Sequence, residues 1–157
     1  MHTTGFLTKT HMAAVTGVCL LLCSAMSTAD YVPYPGRMVG KLISVESPIT
    51  ARLRMQAWTG FYKIFRVTIP GIVVPEDTAG APDCQRELAA KAMKFTRDYL
   101  ADAKKIIAPD MRMESNEAED AFAPILTDKG SLGDALIAEG LARPDSVDHA
   151  KPWCKDE

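Results

Sequence analysis

Three strands, a long helix, two more strands and a short helix, read in that order, predict a mainly β, α+β fold. Five strands are expected to close into a small OB-type barrel that carries two main helices. Three observations carry this expectation. Residues 49–57 alternate Ala51, Leu53 and Met55 with Arg52, Arg54 and Gln56, the period of a strand with one buried and one wet face. Leu88, Ala92, Phe95 and Tyr99 recur at helical spacing, a face broad enough to plug a barrel mouth. Ser131 followed by Asp134 is a capping-box pattern at the start of a second helix, which Gly140 ends and Pro144 keeps from resuming.

The domain is expected over residues 30–157, because residues 1–29 read as a secretory signal. Lys9 and His11 precede an apolar run over 12–23, and the small residues Ser27 and Ala29 stand at the two positions a signal peptidase reads. The run is short for a membrane span, so an uncleaved anchor is the alternative and no span is expected after cleavage. Leu22 before Cys23 and Val18 before Cys19 do not fit a lipid-modified cysteine, where a small residue is expected. Cleavage makes the protein exported, periplasmic or secreted. It removes Lys9 and no acid from the 18 basic and 20 acidic residues, which leaves 17 against 20 and a net charge of −3.

That inventory excludes several chemistries. Cys84 and Cys154 are the cysteines left after cleavage, and in an exported chain they most simply form one disulfide, two free thiols being the alternative. His149 is the one histidine left, so a histidine-based triad and a multi-histidine zinc site are out of reach. Mild net acidity argues against a broad nucleic-acid-binding surface, though not against a local basic patch.

The remaining elements follow from local signals. A lead with Pro33 and Pro35 runs into a first strand over 38–45, and Ser47-Pro48 marks a turn because proline fixes its own backbone and lacks a donor. Trp58-Thr59-Gly60 connects the second strand to a third over 61–69, rich in aromatic and β-branched residues. The stretch DTAGAP, 77–82, is a loop, and Asp83 is an N-cap for a helix reaching about residue 105. Residues 106–113 and 121–126 are two further strands joined by the acidic loop ESNEAED.

Two segments resemble the staphylococcal-nuclease-like (thermonuclease) family. TIPGIVVPE over 68–76 is similar to the family's strand and loop of the type R-L-x-G-I-D-x-P-E, and LGDALIAEGLAR over 132–143 is similar to its closing helix. The likeness spans about residues 38–144, nearly the whole domain. It implies an OB-type barrel and calcium-assisted phosphodiester hydrolysis, in which two aspartates hold the metal, a glutamate acts as base and two arginines hold the phosphate. In this chain the aspartate positions hold Ile49 and Val73. The base position keeps Glu76. One arginine position holds Thr68, with Arg66 two residues earlier on the same strand face, and the other falls near Asp120.

Calcium needs six to eight oxygen ligands, and two aliphatic side chains supply none. The resemblance therefore implies a barrel that has lost its metal site, with Glu76 and Arg66 as vestiges of catalysis and no cofactor. A non-catalytic binding or assembly module of the cell envelope, with an envelope protein as partner, is the expected function. A divergent calcium-dependent phosphodiesterase using Glu76 and Arg66 is one alternative. A polyanion or nucleic-acid binder without hydrolysis, working through Arg52, Arg54 and Lys63, is another. Each candidate has a plainer reading: Glu76 and Asp77 as a solvated loop, the arginines as the wet face of a strand, Trp58, Phe61, Tyr62 and Phe65 as core, and ESNEAED as a solvated acidic loop.

Overall fold

The alternation in residues 49–57 is what builds the molecule outward from its core. In the computed structural model, which describes residues 32–115, 118–146 and 151–154, Ala51, Leu53 and Met55 are fully buried while Arg54 and Gln56 face solvent. The expected signal over 1–29 and His149 lie outside the described residues. Strands β1 (Val32–Ser47), β2 (Thr50–Trp58) and β3 (Phe61–Thr68) form an antiparallel meander, with Leu42 opposite Leu53 and Leu53 opposite Phe65. β4 (Ile72–Val73) follows, then α1 (Asp83–Ala101), β5 (Ile106–Met113) and β6 (Asp120–Phe122). The chain ends with β7 (Leu126–Thr127), β8 (Gly130–Ser131), α2 (Leu132–Ala138) and β9 (Arg143–Pro144).

Five strands form a ring in the order β1-β2-β3-β6-β5, with β5 pairing back onto β1. Within the ring β3 and β6 run parallel, and the other neighbours are antiparallel. Inside sit Leu53, Met55, Phe65, Val67, Met111 and Met113, closed from one side by Leu100 of α1 and by Leu132 and Leu136 of α2. Each such side chain contributes roughly 1.5–3 kcal/mol by leaving water.

Several boundaries differ from those read in the sequence, and each difference has a cause. β1 begins at Val32, not residue 38, because its first half pairs with β5 from Val32–Met113 to Gly40–Ile106. The prolines are accommodated by a register shift between Tyr34 and Arg37, where Gly36 adopts φ of 104°. Asp83 is the first helical residue and Pro82 the N-cap, so Asp83 favours the helix N-terminus through its charge and pairs with Arg86.

The buried face of α1 is Ala89, Ala92, Thr96 and Leu100, rotated from the expected one so that Leu88, Phe95 and Tyr99 are only half-buried. Thr96 is drawn inward because its Oγ1 donates to the Pro48 carbonyl at 2.7 Å, which ties the helix to the first turn of the meander. β6 stops at Phe122 because Pro124 cannot donate to a ladder. The Ser131 cap is as expected: its Oγ accepts from the Asp134 N–H at 3.3 Å, and Gly140, at φ of 69°, ends α2.

α1 ends at Ala101 rather than near residue 105: the N–H groups of Asp102 and Ala103 still bond to helix carbonyls, and the two donors after them are taken by a side chain. Asp128 Oδ1 accepts from the N–H of Lys104 at 2.8 Å and of Lys105 at 3.4 Å. Partial desolvation pushes the Asp128 carboxyl up, but these backbone bonds and the Lys104 charge outweigh it and hold it below the ordinary aspartate value. A depressed carboxyl contributes stability that is present above the unfolded pKa and is lost as pH falls through the folded one. Asp128→Asn is therefore expected to flatten the acid limb of a stability–pH curve below about pH 4, read by urea unfolding. In the same assay Leu53→Ala is expected to cost about 3 kcal/mol and Arg54→Gln less than about 0.5 kcal/mol.

Candidate functional site

The loop after β3 is shaped by one glycine and one short strand pair. Gly71 adopts φ of 76°, its carbonyl accepts from the Asp145 N–H at 2.8 Å, and Ile72 and Val73 pair with Pro144 and Arg143 of β9. Ile72 and Val74 pack against the core and Pro75 is buried, so the loop is anchored by apolar side chains. Glu76 and Asp77 emerge beyond it into solvent, and the Glu76 carbonyl accepts from Gln85 Nε2 at 2.9 Å, which fastens the loop to α1.

Ile49 is half-buried at the start of β2, its carbonyl accepting from the Ile69 N–H at 2.9 Å. It lines two grooves. One, of about 440 Å³, is shared with Val74, Pro75, Glu76, Asp77 and Met93. The other, of about 640 Å³, is shared with Thr68, Ile72, Asp110, Arg112 and Phe122. Next to Ile49, the Thr50 and Thr68 hydroxyls bond each other at 3.0 Å. Val73 opens instead on a third groove, of about 390 Å³, with Val74, Glu76, Gln85 and the tail residues Pro152 and Trp153. Among the described residues no three His, Cys, Asp or Glu side chains come together.

The tail reaches that groove because Cys84 and Cys154 form a disulfide, with Cα atoms 6.3 Å apart and a sequence separation of 70. A loop of that length stabilises the fold by about 4 kcal/mol in the chain-entropy account. Arg143 secures the same segment. Its Nη1 donates to the Lys151 carbonyl at 3.0 Å and its Nη2 to the Pro152 carbonyl at 3.1 Å, and its guanidinium lies 4.0 Å over the Trp153 ring.

Arg66 is paired with acids. It faces Arg52 across β2–β3 and Asp120 across β3–β6, its Nε donates to Asp120 Oδ1, and its Nη1 lies 3.9 Å from Glu46. Glu46 also lies 3.8 Å from Arg52. The hydrogen bond from Arg66 to Asp120, and the charge of Asp120 with it, hold the guanidinium protonated more firmly than an isolated arginine. Arg66 is on the rung of Arg52, and it lines neither of the two grooves that contain Glu76.

The other basic candidates divide between two sides of the sheet. Arg54 projects outward with Arg52, 4.6 Å over the Tyr62 ring. Lys63 belongs to the opposite side of β3, where its Nζ donates to the Ala118 carbonyl at 3.0 Å and lies 5.2 Å over Phe65. Of the four aromatics Phe65 is core, whereas Trp58, Phe61 and Tyr62 are exposed, with Trp58 and Phe61 stacked at 4.1 Å.

Three cations were not singled out in the sequence. Arg37 and Lys41 line a groove of about 500 Å³ with Arg54, Gln56 and Tyr62, and Arg112 lines the larger groove beside Ile49. Arg37 and Lys41 stand at the same parity in β1, on either side of Val39, which places them on one face of the strand. No known family matches the chain, and no curated protein does.

Arg143→Gln is expected to destabilise the protein by about 1–2 kcal/mol through two lost carbonyl bonds and the lost stacking. Urea unfolding reads the first effect, and a red shift of Trp153 emission reads release of the tail.

Proposed function

We propose that this chain is a non-catalytic binding or assembly module, exported to the cell envelope and built on an OB-type barrel of the staphylococcal-nuclease-like kind. The ring order and the parallel β3–β6 pair support that barrel. One observation carries the loss of catalysis: the larger of the two grooves that Glu76 lines adds one further carboxylate, Asp77, and the neutral hydroxyls of Ser47 and Thr50 to a wall otherwise made of apolar side chains such as Ile49, Val74, Pro75 and Met93. Those donors do not fit a calcium ion, which needs several converging oxygens to offset its dehydration. Arg66, the guanidinium that phosphodiester chemistry would call on, is engaged by Asp120 and Glu46. Losing each electrostatic element of this kind lowers a rate on the order of 100-fold or more.

The test is incubation of the purified mature protein with single- and double-stranded DNA and with RNA, in calcium and in chelator. No cleavage above the buffer blank is expected in any arm. Chelator-sensitive cleavage that Glu76→Gln abolishes would establish the phosphodiesterase alternative in its place.

A further inference from the structure

The charge of this protein is unevenly placed. Residues 32–75 carry Arg37, Lys41, Arg52, Arg54, Lys63 and Arg66 against one acid, Glu46, in a chain whose net charge is −2. Arg52 and Arg66 are engaged by Glu46 and Asp120 at one end of the meander. At the other end, among the described residues, no carboxylate lies within ion-pairing distance of Arg37, Lys41 or Arg54.

Apolar exposure is concentrated in the same meander. Among the described residues, the exposed large hydrophobic side chains are Val39, Ile43, Trp58, Phe61, Tyr62 and Ile64, and every one belongs to β1, β2 or β3. Trp58 is 62% exposed at the tip of the β2–β3 hairpin, stacked on Phe61, with the turn completed by Gly60 at φ of 81°. Tyr62 follows directly, carrying the Arg54 guanidinium on its ring.

We propose that this end of the meander docks the protein on an anionic phospholipid bilayer, the hairpin tip entering the interface and Arg37, Lys41 and Arg54 meeting the head groups. The proposal goes beyond the reading of the protein as a binding module and names a surface that it binds. Tryptophan and tyrosine favour the boundary between head groups and acyl chains, because their rings are apolar at one end and hydrogen-bonding at the other. Arg37 and Lys41 are not locked into a rigid fork by neighbours, which suits a diffuse negative surface better than a fixed acidic motif. Val39, Ile43 and Ile64 add exposed aliphatic area that gains from leaving water and that a nucleic-acid strand, stacking its bases on the aromatic rings, would leave unused, which favours lipid. A second copy of this face would set like charges against each other. No helix among the described residues is long and apolar enough to cross a membrane.

The test is sedimentation with vesicles, following Trp58 emission. Vesicles of phosphatidylcholine with about one third phosphatidylglycerol are expected to bind the protein, and pure phosphatidylcholine vesicles are not. Binding is expected to shift Trp58 emission to the blue, and the shift is absent in Trp58→Phe, where Trp153 remains as internal control. Neutralising Lys41→Gln and Arg54→Gln together is expected to weaken partitioning about 25-fold, about fivefold for each charge. Lys91→Gln, on the exposed side of α1, is expected to leave it unchanged, and circular dichroism checks that each variant is folded.

Equal binding to both vesicles, or indifference to the double substitution, overturns the proposal. So does tighter binding of a single-stranded oligonucleotide or a polyglutamate peptide that vesicles do not displace. The cleavage assay is a separate readout: vesicle binding by a protein that also cleaves DNA would remove the non-catalytic reading and leave the docking surface standing.

Discussion

The pairing of β1 with β5 is the constraint on which the rest of the structure depends. Without it the first three strands are an open meander with an apolar face that no neighbour covers. β1 is long enough to serve two partners: its first half pairs with β5 and its second half with β2, the handover falling at Gly40. At that point a side chain would meet Met55 at 3.1 Å and Leu53 at 3.3 Å, so the absence of one lets the strand cross close over the core. Closing the ring sets β6 beside β3, and that placement brings Asp120 to Arg66. The ion-pair rung is thus a product of closure rather than of anything local to β3.

The loop after β3 depends on the same closure in a different way. Its shape is set by Gly71, by the short β4–β9 ladder and by Pro75 in the core, none of which needs a metal ion to hold it. A loop whose backbone is supported by packing holds its course without a bound ion, and the groove beside it is lined by Ile49, Val74 and Met93 together with Glu76. Hard-cation binding and apolar burial compete for such a space, and aliphatic side chains favour burial.

What could be read from the sequence was whatever depends on near neighbours. The β2 alternation is carried by Ala51, Leu53 and Met55 alone, and the Ser131 cap needs only Asp134 three residues on. What could not be read depends on distant partners. Pro33 and Pro35 look like a lead until β5 is known to lie alongside. The buried face of α1 turns on Thr96 finding the Pro48 carbonyl, a partner 48 residues away. Arg66 reads as an available cation until Asp120, 54 residues later, is placed next to it. Lys63 is an intermediate case, since its separation from Arg52 and Arg54 on the sheet follows from hairpin register and parity.

The disulfide divides the chain into two topological parts. Everything from Cys84 to Cys154 lies within one covalent circuit that contains α1, β5, β6 and α2, whereas the meander β1–β3 hangs outside it as an open arm. A single backbone cut anywhere inside the circuit leaves both pieces joined, so the molecule would persist as a two-chain protein under oxidising conditions. A cut between β3 and α1 has the opposite consequence: it frees the arm from every covalent tie. Only strand pairing and the shared core would then hold the meander to the circuit, and the ring would become an interface between two separate chains.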